Sequence, residues 1–117
     1  MERLSMIKNS IVLVPFPFDN LSDFKVRPAL CLTNEIGKYD HVIIAFISSR
    51  IPQETIESDL ILLKNSENSI GSGLTIDSVI RLHKVVTIPK SLIKRKLGKI
   101  NSKMEVLVKE KISNLFN

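Results

Sequence analysis

The sequence predicts a mainly β fold, a small curled antiparallel sheet or open barrel followed by one C-terminal α-helix. Three observations predict it. Five short apolar runs are separated by polar turns of hairpin length, the mark of an antiparallel sheet. The last segment switches to helical spacing. The chain has 117 residues, 44% hydrophobic and 25% charged, which is the balance of a folded globular chain and the size of one ordinary domain, 1–117.

The elements follow in order. Ile11 to Phe18, IVLVPFPF, has the branched residues of a strand. Pro15 and Pro17 cannot donate to a ladder, so this strand lies at an edge or ends as it leaves the sheet. Asp19 to Val26 is a polar loop, long enough to carry function. Pro28 to Thr33 is the second strand pattern and Asn34 to Asp40 a turn containing Gly37. In the third, His41 to Ser49, residues Val42 to Ile47 are all apolar, which predicts a strand buried on both faces against the core and a helix or second subunit. Ser58 to Lys64 is the fourth strand and Asp77 to Ile88 the fifth, with the loop Asn65 to Gly73 between them. Ser102 and Glu105 form an S-x-x-E capping box. Met104, Leu107, Val108, Ile112, Leu115 and Phe116 then repeat at helical spacing and read as core packing.

Composition narrows the function classes. Cys31 is the single cysteine, so no disulfide forms within the chain, and a reducing compartment fits. No apolar run has the length to span a bilayer, and the first ten residues lack a signal-peptide pattern; the expectation is a cytoplasmic protein with no membrane partner. The formal net charge is +5, and Arg81 to Lys103 holds eight Lys or Arg and no Asp or Glu. The densest part of that run contains Arg95. Such a run is a solvated face, a track for an RNA backbone, or a dock for an acidic partner. The two histidines, His41 and His83, and Cys31 have no metal-ligand spacing, and there is no phosphate loop or serine-hydrolase elbow. The expectation is chemistry without a metal or other cofactor. His83 reads as a surface or partly packed histidine.

The stretch Ile11 to Thr33, IVLVPFPFDNLSDFKVRPALCLT, resembles the opening of the MazF/PemK family of toxin endoribonucleases: a hydrophobic strand into V-P-F-P-F, a polar loop, then R-P-A-L heading the next strand. IIAFISSR, SGLTIDSVIRL and KVVTIPKSLIKRKLGKI resemble the segments that follow, so the likeness runs from about Ser10 to Phe116. The resemblance implies an SH3-like small barrel of the MazF/CcdB type with a C-terminal helix, a homodimer, and a cognate antitoxin partner. It also implies metal-independent cutting of single-stranded RNA through the 2′-hydroxyl. The sequence departs from the family pattern at Asn9-Ser10, at Asp19 and Asn20, at Phe24, and at Ser48, where threonine is common.

That resemblance assigns catalysis to Arg27 and Ser48. A guanidinium grips two phosphate oxygens and stabilises charge on phosphorus; its high pKa makes it a poor base, so any proton shuttling by Arg27 is secondary. Ser48 donates a hydrogen bond to the same phosphorane, or alternatively bonds to backbone at its strand end. Ser49 is a substitute, turned by strand alternation to the other face. The loop places Asp19, Asn20, Phe24 and Lys25 over the RNA, Phe24 either stacking on a base or packing on the barrel, and Lys25 touching phosphate. Arg81 and Lys84 extend the basic track. Two further readings stand beside this one, a gyrase-binding toxin of the same barrel type and a non-catalytic RNA-binding module.

Overall fold

The computed structural model describes residues 7–16 and 25–117. Six strands form one antiparallel sheet: β1 (Ser10–Phe16), β2 (Lys25–Cys31), β3 (His41–Ser48), β4 (Asp59–Leu62), β5 (Ser78–Pro89) and β6 (Arg95–Lys99). Their spatial order is β4-β5-β3-β2-β1-β6. One helix, α1 (Ser102–Leu115), follows. The sheet curls into a half-barrel, the mainly β fold with a C-terminal helix that the sequence predicts.

The curled sheet has two apolar faces because its strands alternate. On one face Ile11, Leu30, Ala45, Ile47, Leu60, Leu62, Ile80 and Leu82 pack beneath Met104 and Val108 of α1. On the other, Val12, Val14, Ala29, Cys31, Val42, Ile44 and Ile88 form a second cluster, lapped by Ile7, Phe46, Leu92 and Ile93. β3, apolar from Val42 to Ile47, feeds both clusters, as a strand buried on both sides must. Along β5, Ile80 and Leu82 face the helix, which leaves Arg81 between them on the opposite face.

β1 is not an edge strand, since β6 pairs with it outside. Pro15 still pairs with Val26 of β2 but lies where β1 has run past the end of β6 and has a free edge; Pro17 lies outside the described residues. The Leu13 carbonyl accepts from Lys94 N at 2.8 Å, so Leu13 faces β6; two residues on, Pro15 faces the same side, beyond the last β1–β6 pair, Leu13↔Arg95. Its missing N–H therefore costs the sheet no bond.

Three expectations are corrected. β6 has the sequence RKLGK, read above only as part of a basic run. It contains one strong apolar residue, Leu97, and its lysines suit an exposed edge. The helix is capped by Asn101, not by Ser102, which is the first helical residue. Asn101 Oδ1 accepts from Met104 N at 3.1 Å, while its Nδ2 donates to the carbonyls of Glu67 and Ile70 at 3.1 and 3.2 Å. A serine hydroxyl at that place could cap the helix but not also tie down the 3-10 turn Glu67–Ser69. β2 also starts earlier than predicted, at Lys25.

The loop before β5 is locked onto β6 by two glycines. A Cβ on Gly98 would lie 2.3 Å from the Gly71 carbonyl oxygen, and one on Gly73, where φ is +76°, 2.1 Å from that of Leu97. Only residues without a side chain permit this approach, and it sets one wall of the groove described next.

Candidate functional site

A groove of about 940 Å³ opens on the sheet. Its walls come from the ends of β1, β2 and β3, from β5, from β6, and from the segment 73–76. Arg27 and Ser48, the two residues assigned to catalysis, both line it. The pairing of β2 with β3 runs Cys31↔Ile44, Leu30↔Ala45, Ala29↔Phe46 and then stops. The same register carried two residues further sets Arg27 opposite Ser48, at the mouth left where the two strands part. Residues two apart share a face, so both belong with Ala29 and Phe46 on the face away from α1.

Arg27 is exposed and makes no hydrogen bond or ion pair with another described residue. Ser48 Oγ accepts from Arg50 N at 2.9 Å. That bond fixes the oxygen through a lone pair and leaves the hydroxyl hydrogen to be donated, so the backbone-bonding role and the donor role are compatible. Ser49 also lines the groove, contrary to the expectation that alternation turns it away. β3 ends at Ser48, and in the bend that follows the strand rule no longer applies.

Lys25, Arg81 and Lys84 line the groove as well. Lys84 reaches it through an irregularity. In the β3–β5 ladder Ala45 pairs with Val85 but Phe46 with Arg81, so residues 82–84 bulge out. His83 within the bulge is half-buried, its Nδ1 2.8 Å from Ser58 Oγ, which is the partly packed role expected. Arg81 is an ion-pair partner too: its Nε donates to Asp59 Oδ1 at 2.7 Å. Asp19, Asn20 and Phe24 lie outside the described residues.

Among the lining residues that sequence reasoning missed are two cations and two aromatic rings. Arg50 stands two positions past Ser48 in a segment read only for its hydroxyls. Arg95 is reached in the sequence as one charge in a run, and β6 is what brings it to the groove. Phe16 and Phe46 meet edge to face there, ring centroids 5.1 Å apart and planes 67° apart. Their shared parity with the second core cluster is a signal the strand pattern carried. The groove thus presents six cations, Lys25, Arg27, Arg50, Arg81, Lys84 and Arg95, an aromatic pair, and no carboxylate among its described lining residues. Such a surface attracts a polyanion. Among the described residues no three His, Cys, Asp or Glu side chains gather where they could hold a metal ion, and no helix is long and apolar enough to cross a membrane.

The profile of the PemK-like, MazF-like toxins of type II toxin-antitoxin systems matches residues 8–116. The chain belongs to that toxin family. Solved structures agree on the fold. The toxin superposes on the Mycobacterium tuberculosis toxin MazF-mt6 with a TM-score of 0.69 at 23% identity, over 92% of this chain and 95% of that one. It matches an endoribonuclease in complex with its cognate antitoxin from a mycobacterial species with a TM-score of 0.69 at 11% identity, over 94% and 93% of the two chains. A further M. tuberculosis toxin gives 0.61 at 24% identity, over 75% and 90%. No curated protein sequence matches the toxin.

Proposed function

We propose that this toxin is an endoribonuclease that cuts single-stranded RNA in the groove without a metal ion. The observation that carries the reading is that Arg27 and Ser48, from separate strands, line one open groove of six cations. The backbone of RNA supplies the charge those cations match. The nucleophile is the 2′-hydroxyl of the nucleotide 5′ to the cut. Its oxygen gives its proton to solvent and bonds to phosphorus, the bond to the 5′-oxygen breaks, and that oxygen takes a proton from solvent, so the products are a 2′,3′-cyclic phosphate and a 5′-hydroxyl.

Charge builds on the non-bridging oxygens of the phosphorane between these two events. Arg27 stabilises it with two N–H donors and a full charge, and Ser48 adds a third donor already oriented by the Arg50 amide. These donors let the groove accelerate the reaction by holding charge and geometry. Lys25, Lys84 and Arg95 hold the phosphates on either side.

The test is to map RNA ends after incubation of purified toxin with single-stranded RNA and EDTA. New 5′-hydroxyl ends at short preferred sequences are expected. Removing one preorganised donor of this kind typically costs about 100- to 1000-fold in rate, and Arg27→Ala, which removes two and a charge, is expected to lose at least about 100-fold with its melting temperature unchanged. Full activity in that variant ends the site assignment. Binding without any cleavage identifies a non-catalytic RNA-binding module, and trapped gyrase–DNA complexes with intact RNA identify a gyrase poison.

The same reading makes the toxin a cytoplasmic homodimer with a cognate antitoxin. The support is family membership and the structural neighbour that is in complex with its cognate antitoxin. Light scattering after size-exclusion chromatography checks the dimer, with a mass near twice the monomer expected.

A further inference from the structure

We propose that Arg81, held by Asp59, is the residue by which the groove selects a base. It reads a nucleobase that presents two adjacent hydrogen-bond acceptors, guanine through O6 and N7 or cytosine through N3 and O2. This rests on the reading of the groove as an RNA site and adds its sequence preference.

Arg81 differs from the other five groove cations. Their side chains make no hydrogen bond or ion pair with a described residue, whereas Arg81 Nε is fixed to Asp59 Oδ1 at 2.7 Å. Asp59 is itself anchored. Its carboxylate is fully buried, and its second oxygen accepts from Ile56 N at 3.1 Å. With the Nε edge spent, the paired Nη groups are the part of the guanidinium left to the groove, where Arg81 is a lining residue with 24% of its side chain exposed.

Two consequences follow from charge and geometry. The buried carboxylate offsets the charge of Arg81, so it contributes less to holding phosphate than a cation without a buried carboxylate beside it. The tether also fixes the direction of the fork, which a mobile surface arginine lacks, and a fixed fork suits a neutral pair of acceptors. Adenine offers an acceptor beside a donor, and uracil separates its two acceptors by an N–H. Guanine and cytosine each offer the adjacent pair.

The sheet register supplies the rest of a base site. Asp59 pairs with Arg81 across β4–β5, and Arg81 pairs with Phe46 across β5–β3. Directly paired residues share a face, so carboxylate, guanidinium and ring form one row. Phe46 and Phe16 both line the groove. A base that stacks on this aromatic pair has its edge toward the Arg81 fork, and stacking on a side chain accepts any base. Discrimination therefore falls to the arginine, and Asp59 is its positioning residue.

The test uses a pool of RNA octamers, random at every position and carrying 2′-O-methyl groups so that the proposed nucleophile is absent. Bound and unbound fractions are sequenced. Wild-type toxin is expected to enrich guanine or cytosine over adenine and uracil at one position by about tenfold, the scale of a good bidentate contact. Arg81→Lys keeps the charge but lacks the fork, so the enrichment falls below about twofold while affinity for the whole pool stays within about threefold. Asp59→Asn loses the same enrichment and leaves pool affinity unchanged or raised, because a negative charge has gone from the groove wall. A merely structural role for Asp59 lowers both together. Should Asp59→Asn fail to fold, the surface substitution Arg81→Lys decides alone. Replacing guanine by 7-deazaguanine in the pool separates the two sources: enrichment vanishes if guanine is read and persists if cytosine is. No enrichment in the wild type, enrichment of adenine or uracil, or enrichment surviving Arg81→Lys overturns the proposal. Cleavage of unmodified RNA with EDTA is scored separately. Selective binding without cleavage sinks only the ribonuclease reading, and cleavage with unselective binding sinks only this one.

Discussion

Ser48 is a serine where the resembling family commonly has threonine, and the structure says what that exchange does. Its oxygen is already placed by the amide of Arg50, so the methyl group that restricts threonine's rotamer is partly replaced by a backbone contact. Ser48→Thr is therefore expected to keep cleavage at or above the wild-type rate. Ser48→Ala deletes the donor and is expected to lose about 100-fold, in line with loss of one oriented donor. Equal rates for Ala and Ser would show that the hydroxyl only finishes a strand. Cys31 carries a second prediction at this scale. Burial, helped by Glu35 and opposed by Lys96, pushes its thiol up from 9.0 to about 11. Thiolate is the reactive form, so a maleimide at pH 8 should label the unfolded chain quickly and the native chain hardly at all. The sign of the pH effect follows from the same shift. Below pH 9 both states hold the proton; between 9 and 11 only the unfolded state loses it, so stability falls across that window. Cys31→Ala should flatten this alkaline limb in urea titrations.

Elements show where sequence is legible and where it is not. β1 to β5 were readable because branched apolar residues cluster in runs bounded by turn residues, and α1 because its apolar residues recur at helical spacing. β6 was illegible for a physical reason. An edge strand with one apolar side chain, Leu97, and three cations is held by its pairing with β1 and by the glycine contacts of Gly98 and Gly73, and a period in hydropathy reports neither. The cap of α1 was misplaced by one residue because Ser102 and Asn101 both satisfy a capping pattern locally. The choice between them depends on the tertiary bonds of Asn101 to the turn at 67–70. Asn101→Ala removes the cap and those bonds together, and is expected to destabilise the fold by about 2 kcal/mol, the upper end for a lost N-cap. Asn101→Ser restores the cap alone and should recover about half of the loss. Chemical denaturation of the three proteins measures this directly, and equal stabilities would show that neither contact matters.

For the molecule as a whole, the charge run between Arg81 and Lys103 divides into groups that composition cannot separate. Arg81, Lys84 and Arg95 turn into the groove. Lys90 pairs with Glu35 at 2.7 Å and Lys103 with Glu67 at 3.2 Å, both away from it. Some cations of the run therefore make surface ion pairs and others line the groove proposed above to hold RNA, and only the sheet order tells them apart by setting β6 beside β1. The groove adds Lys25, Arg27 and Arg50 from outside the run. The assignment of Arg27 and Ser48 comes from a resemblance in the motif, since nothing in composition or periodicity singles out an arginine at the head of a strand. The division makes a quantitative prediction. Each phosphate neutralised on a single strand contributes about −0.7 to the slope of log affinity against log salt. Five groove cations without a fixed carboxylate partner therefore predict a slope of about −3 to −4 for a short non-cleavable RNA. Arg95→Ala should make the slope shallower by about 0.7. Lys90→Ala and Lys103→Ala should leave it unchanged, although they remove the same charge from the same stretch of sequence. Equal effects from all three would mean that RNA responds to net charge alone, and the groove would lose its claim to be the binding surface.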